Sequence, residues 1–301
     1  MTQGTIPTLE DIDRIHRTLA PSDAAYELIH THCVIVAQIT RQLIHRQNAL
    51  FMRRCTLPAD AVERTGDYGT VAGHDIPSLN LRISAPFCAP TSNDVEEVER
   101  WELSGTGMEH GNDSPEESCN ISNDSPTTVP ATDGVTGGMI PPYYLDVSRP
   151  VVGALLHDIG AYKVLEHDGS DGEPLEFDRD NYIKHGIIGY NLLLDMGVDE
   201  SIAEFARNHT GVGLTREQVL AEGLPIPPDD YVPVNLEQEV VMVADKYHSK
   251  SVPPRFVTAE RYAKSAARFG DANRDRWLEL VRKYGTPDVP ALAKQWGMGI
   301  K

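Results

Sequence analysis

The chain has 301 residues, of which 40% are hydrophobic and 24% charged. That is the balance of a soluble globular protein with material for one large domain or two small ones, and it excludes collagen-like, fibrous and wholly disordered chains. Forty-five acidic against 27 basic side chains give a formal charge of −18, so the surface should repel nucleic acid polymers and anionic membranes and admit an anion only where the field is locally reversed.

In chain order, residues 24–45 (AAYELIHTHCVIVAQITRQLIH) form the first expected helix, with Leu28, His32, Ile35, Val36, Ile39 and Leu43 on one stripe. Residues 53–142 are expected to be an insertion. Within it, 66–90 can supply a short strand or two, and 94–138 carry a net −10 of the total −18. The stretch 104–138 has no aromatic residue and no Lys or Arg. It cannot bury enough apolar surface to offset its chain entropy and reads as flexible. Its three Asn-x-Ser sequons, at Asn112, Asn120 and Asn123, are attributed to chance in an Asn/Ser-rich linker.

Further helices are expected at 147–158, ending near Gly160, and at about 180–196, stopped by Gly197. Asp199 caps the next, through about His209, and Thr215 with Gln218 has capping-box spacing for another. Asn235 with Gln238 repeats that spacing ahead of 236–249. After Pro253-Pro254, three short helices are expected at 258–269, 271–284 and 288–296, capped by Thr258, Asp271 and Asp288 and stopped by Gly270, Gly285 and Gly297. The fold class is therefore all-α. No membrane span or secretory signal is visible, and the four cysteines form no Cys-x-x-Cys pair, so a cytoplasmic protein with reduced thiols is expected.

Polar residues stand on the apolar faces of these helices. Leu28 and Val36 flank His32, Ile188 and Leu192 follow His185, and Ile202 and Phe205 precede His209. His157-Asp158 closes the helix VVGALLHD, and Asp245 sits a turn after Val241 and Met242. One buried His or Asp is commonly a hydrogen-bonded core residue, but six together are costly to bury without a cation. Imidazole and carboxylate are the ligands that intermediate divalent ions accept. Four His with two Asp suit two ions sharing a carboxylate, and neighbours about 100° apart on a helix let His157 face one ion while Asp158 reaches both.

The order H…HD…H…H…D, with its dyad in HDIG, resembles the HD superfamily of metal-dependent phosphohydrolases. The matching segments are THCVIVAQIT, GALLHDIGAYK, YIKHGIIGYNLLL, ARNHTGVGLT and VMVADKYHSK, within residues 20–52 and 143–250. The resemblance implies an HD helical bundle from 1–52 and 143–252, followed by a helical extension at 253–301 that is similar to the tail of small bacterial HDIG proteins. It implies one ion on His32, His157, Asp158 and Asp245, a second on Asp158, His185 and His209, and leaves Fe, Mn, Co, Ni or Zn open. Bacterial symmetrical diadenosine tetraphosphatases share this dinuclear arrangement, and NHTG is similar to their segment at the fifth ligand. Many HD enzymes continue the dyad as HDIGK, whereas position 161 here is Ala and Lys163 follows two residues later. The HHE and GYP signatures of cyclic-di-GMP phosphodiesterases are missing, since Asn208-His209-Thr210 stands in place of the first.

The function so implied is hydrolysis of a phosphate ester or anhydride of a small molecule, a nucleotide being the favoured kind. Asp158 would hold two ions that acidify the attacking water, and Lys163 would meet the phosphate. Lys163 and His248 are the candidate proton donors. A di-iron oxygenase with the same ligands and a non-catalytic metal-containing regulatory module remain open, as do the substrate, the metal and the oligomeric state. His74-Asp75 and His167-Asp168 read as loop residues, His30 and Cys33 as packing or surface positions, and Arg216 as a helix-start charge or a phosphate contact. The tail from Arg255 to Lys301, net +5, reads as a solvated helical face.

Overall fold

The computed structural model describes residues 4–53, 70–71, 74–75 and 130–301. Apart from Pro130, all of them belong to one unit built from residues 1–80 and 131–301. The fold is helical. Among the described residues, α1 (Leu9–Leu19) and α2 (Asp23–Arg53) precede the insertion. After it come α3 (Ser148–Leu156), α4 (His185–Asp195), α5 (Glu200–Arg207), α6 (Arg216–Glu222) and α7 (Leu236–Asp245). The extension holds α8 (Ala259–Ala266), α9 (Asp271–Tyr284) and α10 (Val289–Gln295). None of these helices is long and apolar enough to cross a membrane.

The 31-residue α2 is the axis, packed against α3 and α7, while α5 packs on α3 and α4. The expected stripe is buried except for the half-buried Leu28, but Cys33, Ala37, Thr40, Ile44 and Asn48 on other faces are buried too. Such a helix lies inside the protein rather than on its surface. It also runs eight residues past the expected end, because its polar final turns have buried partners. Arg46 Nε donates to Gly137 O at 2.8 Å, and Gln47 Nε2 to Lys283 O at 3.2 Å. Asn48 Nδ2 donates to Leu145 O at 3.0 Å, and Leu145 N donates back to Asn48 Oδ1 at 2.8 Å.

Several expectations need correction. No helix was expected at 9–19, yet Thr8 and Asp11 form a capping box there and α1 buries Ile12, His16 and Leu19. The helix expected over 180–196 starts at His185, after a 3-10 turn at Tyr182–Lys184; Gly197 stops it at φ +78°. The helix expected over 236–249 ends at Asp245, and His248–Ser249 forms a strand. Its cap is Asn235 alone, since the Gln238 side chain accepts from Val234 N instead of closing a box. Asp271 is the first residue of α9 rather than its cap, which is Gly270. The extension is thus three helices as expected, but strands join it to the rest of the unit.

Those strands are short. β1 (Thr70–Val71) and β2 (His74–Asp75) pair antiparallel, within the stretch expected to supply a strand or two. β3 (Val135–Thr136) pairs antiparallel with β8 (Thr286–Pro287), and β4 (Leu165–His167) with β5 (Glu176–Phe177). β6 (His248–Ser249) pairs antiparallel with β7 (Arg255–Phe256), which runs parallel to β9 (Gly299–Ile300). Val135 is fully buried, so the last residues of the stretch read as flexible, 131–138, belong to the folded unit. Residues 104–129 lie outside the described residues, as do 54–69, 72–73 and 76–103.

Candidate metal centre

Five elements bring the six expected ligands together. His32 lies in mid-α2, His157 and Asp158 follow the last residue of α3, His185 opens α4, His209 lies two residues past α5, and Asp245 ends α7. The dyad straddles a change of backbone course. His157 keeps helical angles, while Asp158 at φ −105° and ψ 13° leads into the 3-10 helix Ile159–Lys163. Gly160 lets α4 approach this turn. A Cβ there would run into His185 O and stand 2.5 Å from Gly189 N.

The donor atoms form two groups. In the first, His32 Nε2 is 3.1 Å from Asp158 Oδ2, 3.0 Å from Asp245 Oδ1 and 3.3 Å from His157 Nε2. His157 Nε2 is 3.5 Å from each of those carboxylate oxygens. In the second, Asp158 Oδ1 is 3.4 Å from His185 Nε2 and 3.6 Å from His209 Nε2, which are 2.9 Å from each other. Ligands held roughly 2.0–2.1 Å from one ion stand roughly 2.8–3.4 Å apart in octahedral or tetrahedral array, so both groups come within a few tenths of an ångström of the spacing an ion requires. Asp158 Oδ1 is buried without a hydrogen-bond partner among the described residues. A carboxylate oxygen in that position is costly unless a cation meets it. These residues therefore fit divalent ions, with Asp158 shared.

The imidazoles are prepared for that role. Burial drives His32 and His157 down to about 4 and His185 and His209 down to about 3, so all four are neutral at physiological pH. A backbone carbonyl three residues back accepts from Nδ1 of three of them. The distances are 2.7 Å for His157 to Ala154 O, 2.5 Å for His185 to Tyr182 O and 2.8 Å for His209 to Ala206 O. This fixes the tautomer and leaves each Nε2 lone pair facing the centre. His32 Nδ1 instead lies 2.9 Å from His248 Nδ1, and His248 Nε2 lies 3.4 Å from Met298 Sδ. One hydrogen-bond order serves this chain: His248 Nε2–H toward sulfur, His32 Nδ1–H toward His248, and His32 Nε2 free for an ion. His248, a candidate proton donor from sequence, thus buttresses His32 from behind. For Asp245, burial raises the carboxyl, but the Lys246 ammonium beside it, with the His157 and His32 rings, outweighs this and holds the group well below its usual range.

Lys163 is exposed and does not line the cavity at the centre. Two cations do reach the ligands: Lys246, whose Nζ donates to Asp245 Oδ2 at 2.5 Å, and Lys250, whose Nζ contacts Asp158 Oδ2 and lies 3.3 Å from His32 Nε2. Burial lowers the Lys250 ammonium to about 7. The only sequence signal for Lys250 is its place in the Asp245 segment. Of the other sequence candidates, His167 lines the cavity rim, where its Nδ1 lies 2.8 Å from Asp171 Oδ2, and Arg216 is exposed elsewhere. His30 stacks on Tyr26, and Cys33 is a buried free thiol.

The cavity measures about 850 Å³, and Asp245 and Lys250 are among its lining residues. Arg179, Lys246, Lys250, Arg261, Arg268 and Lys301 line it, against Glu173, Glu176 and Asp245. In a chain of net −18 this is a local reversal of the field. Phe177, Tyr182 and Tyr262 supply aromatic surface on the same walls.

Residues 136–250 match the model of the HD domain family. An uncharacterized protein of Methanocaldococcus jannaschii is 37% identical over 103 residues, 34% of this chain and 50% of its own length. Two tRNA (cytidine(56)-2'-O)-methyltransferases also match. That of Thermoplasma volcanium is 32% identical over 100 residues, 33% of this chain and 24% of its own. That of Picrophilus torridus is 37% identical over 93 residues, 31% of this chain and 22% of its own. The chain therefore spans half the length of the first relative and under a quarter of each of the others. No solved structure matches the chain.

Proposed function

We propose that this chain hydrolyses a phosphate ester or anhydride of a small molecule, with nucleotides the favoured kind, using two divalent transition ions in a cytoplasmic setting. The observation that carries the reading is two donor groups sharing one buried carboxylate, Asp158, joined through Asp245 and Lys250 to a cavity that six Lys and Arg side chains line. His32, His157, Asp158 and Asp245 would hold one ion, and Asp158, His185 and His209 the other. Bound there, the ions would supply Lewis acidity toward a phosphoryl oxygen and a water acidic enough to be deprotonated at neutral pH. The residues of the chain do the rest. Asp158 fixes the spacing of the two groups through its separate oxygens. Lys246 binds Asp245 Oδ2 at 2.5 Å and so leaves Oδ1 facing His32 and His157. Lys250 offers a compact ammonium at the inner wall, placed for a phosphoryl oxygen.

The test is a screen of phosphorylated metabolites with purified, metal-analysed full chain, reading phosphate release and oxygen uptake together. Phosphate release is expected. Oxygen uptake without phosphate release would replace this reading with an oxygenase. On whichever compound is turned over, Lys250→Ala should lower kcat/KM about ten- to a hundredfold with both metals retained, as loss of a charge-assisted contact does. Lys163→Ala should stay within about twofold, as exposed positions do. The reverse ranking would return the phosphate contact to Lys163.

A further inference from the structure

Three of the six cations around the cavity are already engaged. Lys246 is paired with Asp245, Lys250 with Asp158, and Arg179 with Glu176. The remaining three, Arg261, Arg268 and Lys301, have no carboxylate partner among the described residues, and all lie in the extension, beyond the HD domain of 136–250. Arg261, Ser265 and Arg268 recur at intervals of four and three along α8 and the 3-10 turn after it, so one helix face turns toward the cavity. Lys301 comes from a different direction. The parallel pairing of β9 with β7 delivers it to the rim, where its Nζ donates to Ser249 Oγ at 3.0 Å. Burial, together with Arg255 and Arg261 nearby, lowers the Lys301 ammonium, as expected where like charges gather without an anion between them. Among the described residues none of the three has a hydrogen bond or ion pair to the six metal-centre ligands, of which Asp245 alone lines the cavity.

We propose that Arg261, Arg268 and Lys301 form a second anion subsite that takes a phosphate group other than the one at the metal centre, so that the substrate carries at least two phosphate groups. This rests on the phosphohydrolase reading and narrows it. The extension is then the specificity wall of the site: the HD domain supplies the reacting centre, and α8 with β9 selects for charge beyond it.

Calorimetric titration of the metal-loaded full chain with inorganic tripolyphosphate and with orthophosphate tests this without requiring turnover. The wild type should bind tripolyphosphate more tightly than orthophosphate. Arg261→Gln with Arg268→Gln should weaken tripolyphosphate about ten- to a hundredfold, leaving orthophosphate affinity and metal content unchanged. Arg261→Lys with Arg268→Lys should recover most of the loss. Unchanged tripolyphosphate affinity in the Gln pair, or an equal loss for orthophosphate, would overturn the subsite. The phosphohydrolase reading fails by a different result, namely no phosphate release from any compound by the metal-loaded wild type.

Discussion

His16 is fully buried, with Nε2–H donating to Leu155 O at 2.8 Å and Nδ1 2.9 Å from the Tyr162 hydroxyl. A carbonyl can only accept, so the tautomer is fixed and Nδ1 takes the Tyr162 proton. Burial, reinforced by the neighbouring His30, drives His16 down to about 3 from an unfolded value of 6.5. The unfolded chain therefore binds a proton below pH 6.5 that the folded chain refuses, and stability falls as pH drops through the window from 6.5 toward 3. From pH 7 to pH 5 the loss from this residue is about 2 kcal/mol. Urea unfolding at the two pH values should show His16→Gln less stable at both but with a pH dependence flatter by about that amount. Equal pH dependence in the two proteins would mean that His16 is charged in the fold.

At the scale of elements, the site depends on how closely α4 approaches the end of α3. The space a Cβ at Gly160 would need is filled by His185 O and the Gly189 backbone, neither of which is the mobile end of a side chain. Gly160→Ala should push α4 away and carry His185 from Asp158. The expected cost is about 1–3 kcal/mol from overpacking, with loss of the ion on Asp158, His185 and His209 and retention of the other. Thermal unfolding and metal content of the variant check this, and retention of both ions would show that α4 does not need the close approach. The end of the insertion is the second dependent element. Val135 is buried, and Arg46 spends its guanidinium on Gly137 O and Thr132 Oγ1. Replacing 104–129 with a Gly/Ser linker should leave the melting transition nearly unchanged, since their composition supports no core. Extending the replacement through 138 should cost about 3 kcal/mol or more, from lost apolar burial and an unpaired buried cation. Equal melting of the two variants would remove the structural role given to Val135 and Arg46.

For the whole molecule, charge and site are one design: a chain of net −18 sets six Lys and Arg side chains against three carboxylates around a cavity of about 850 Å³ that meets its buried centre at Asp245 and Lys250. How far this was legible depended on the range of the interactions involved. The six ligands could be read because each stands on an apolar helical face or at a helix end, a pattern carried by its own few neighbours. The last two turns of α2 could not, since Arg46, Gln47 and Asn48 look like solvent-facing residues until segments about 90 to 240 positions away supply their partners. The same applies to the basic tail. Its +5 reads as a solvated face, yet Arg261, Arg268 and Lys301 acquire a direction only when β9 pairs with β7 and α8 borders the cavity. Lys163 and Lys250 differ in the same way, by which side of the dyad the folded chain turns them to. The most direct test of the account is elemental analysis of the purified chain beside Asp158→Ala. Two divalent transition ions per chain are expected in the wild type, and loss of both in the variant, because each donor group uses one oxygen of Asp158. A single ion in the wild type, or an undiminished pair in the variant, would contradict the shared centre on which the proposed chemistry stands.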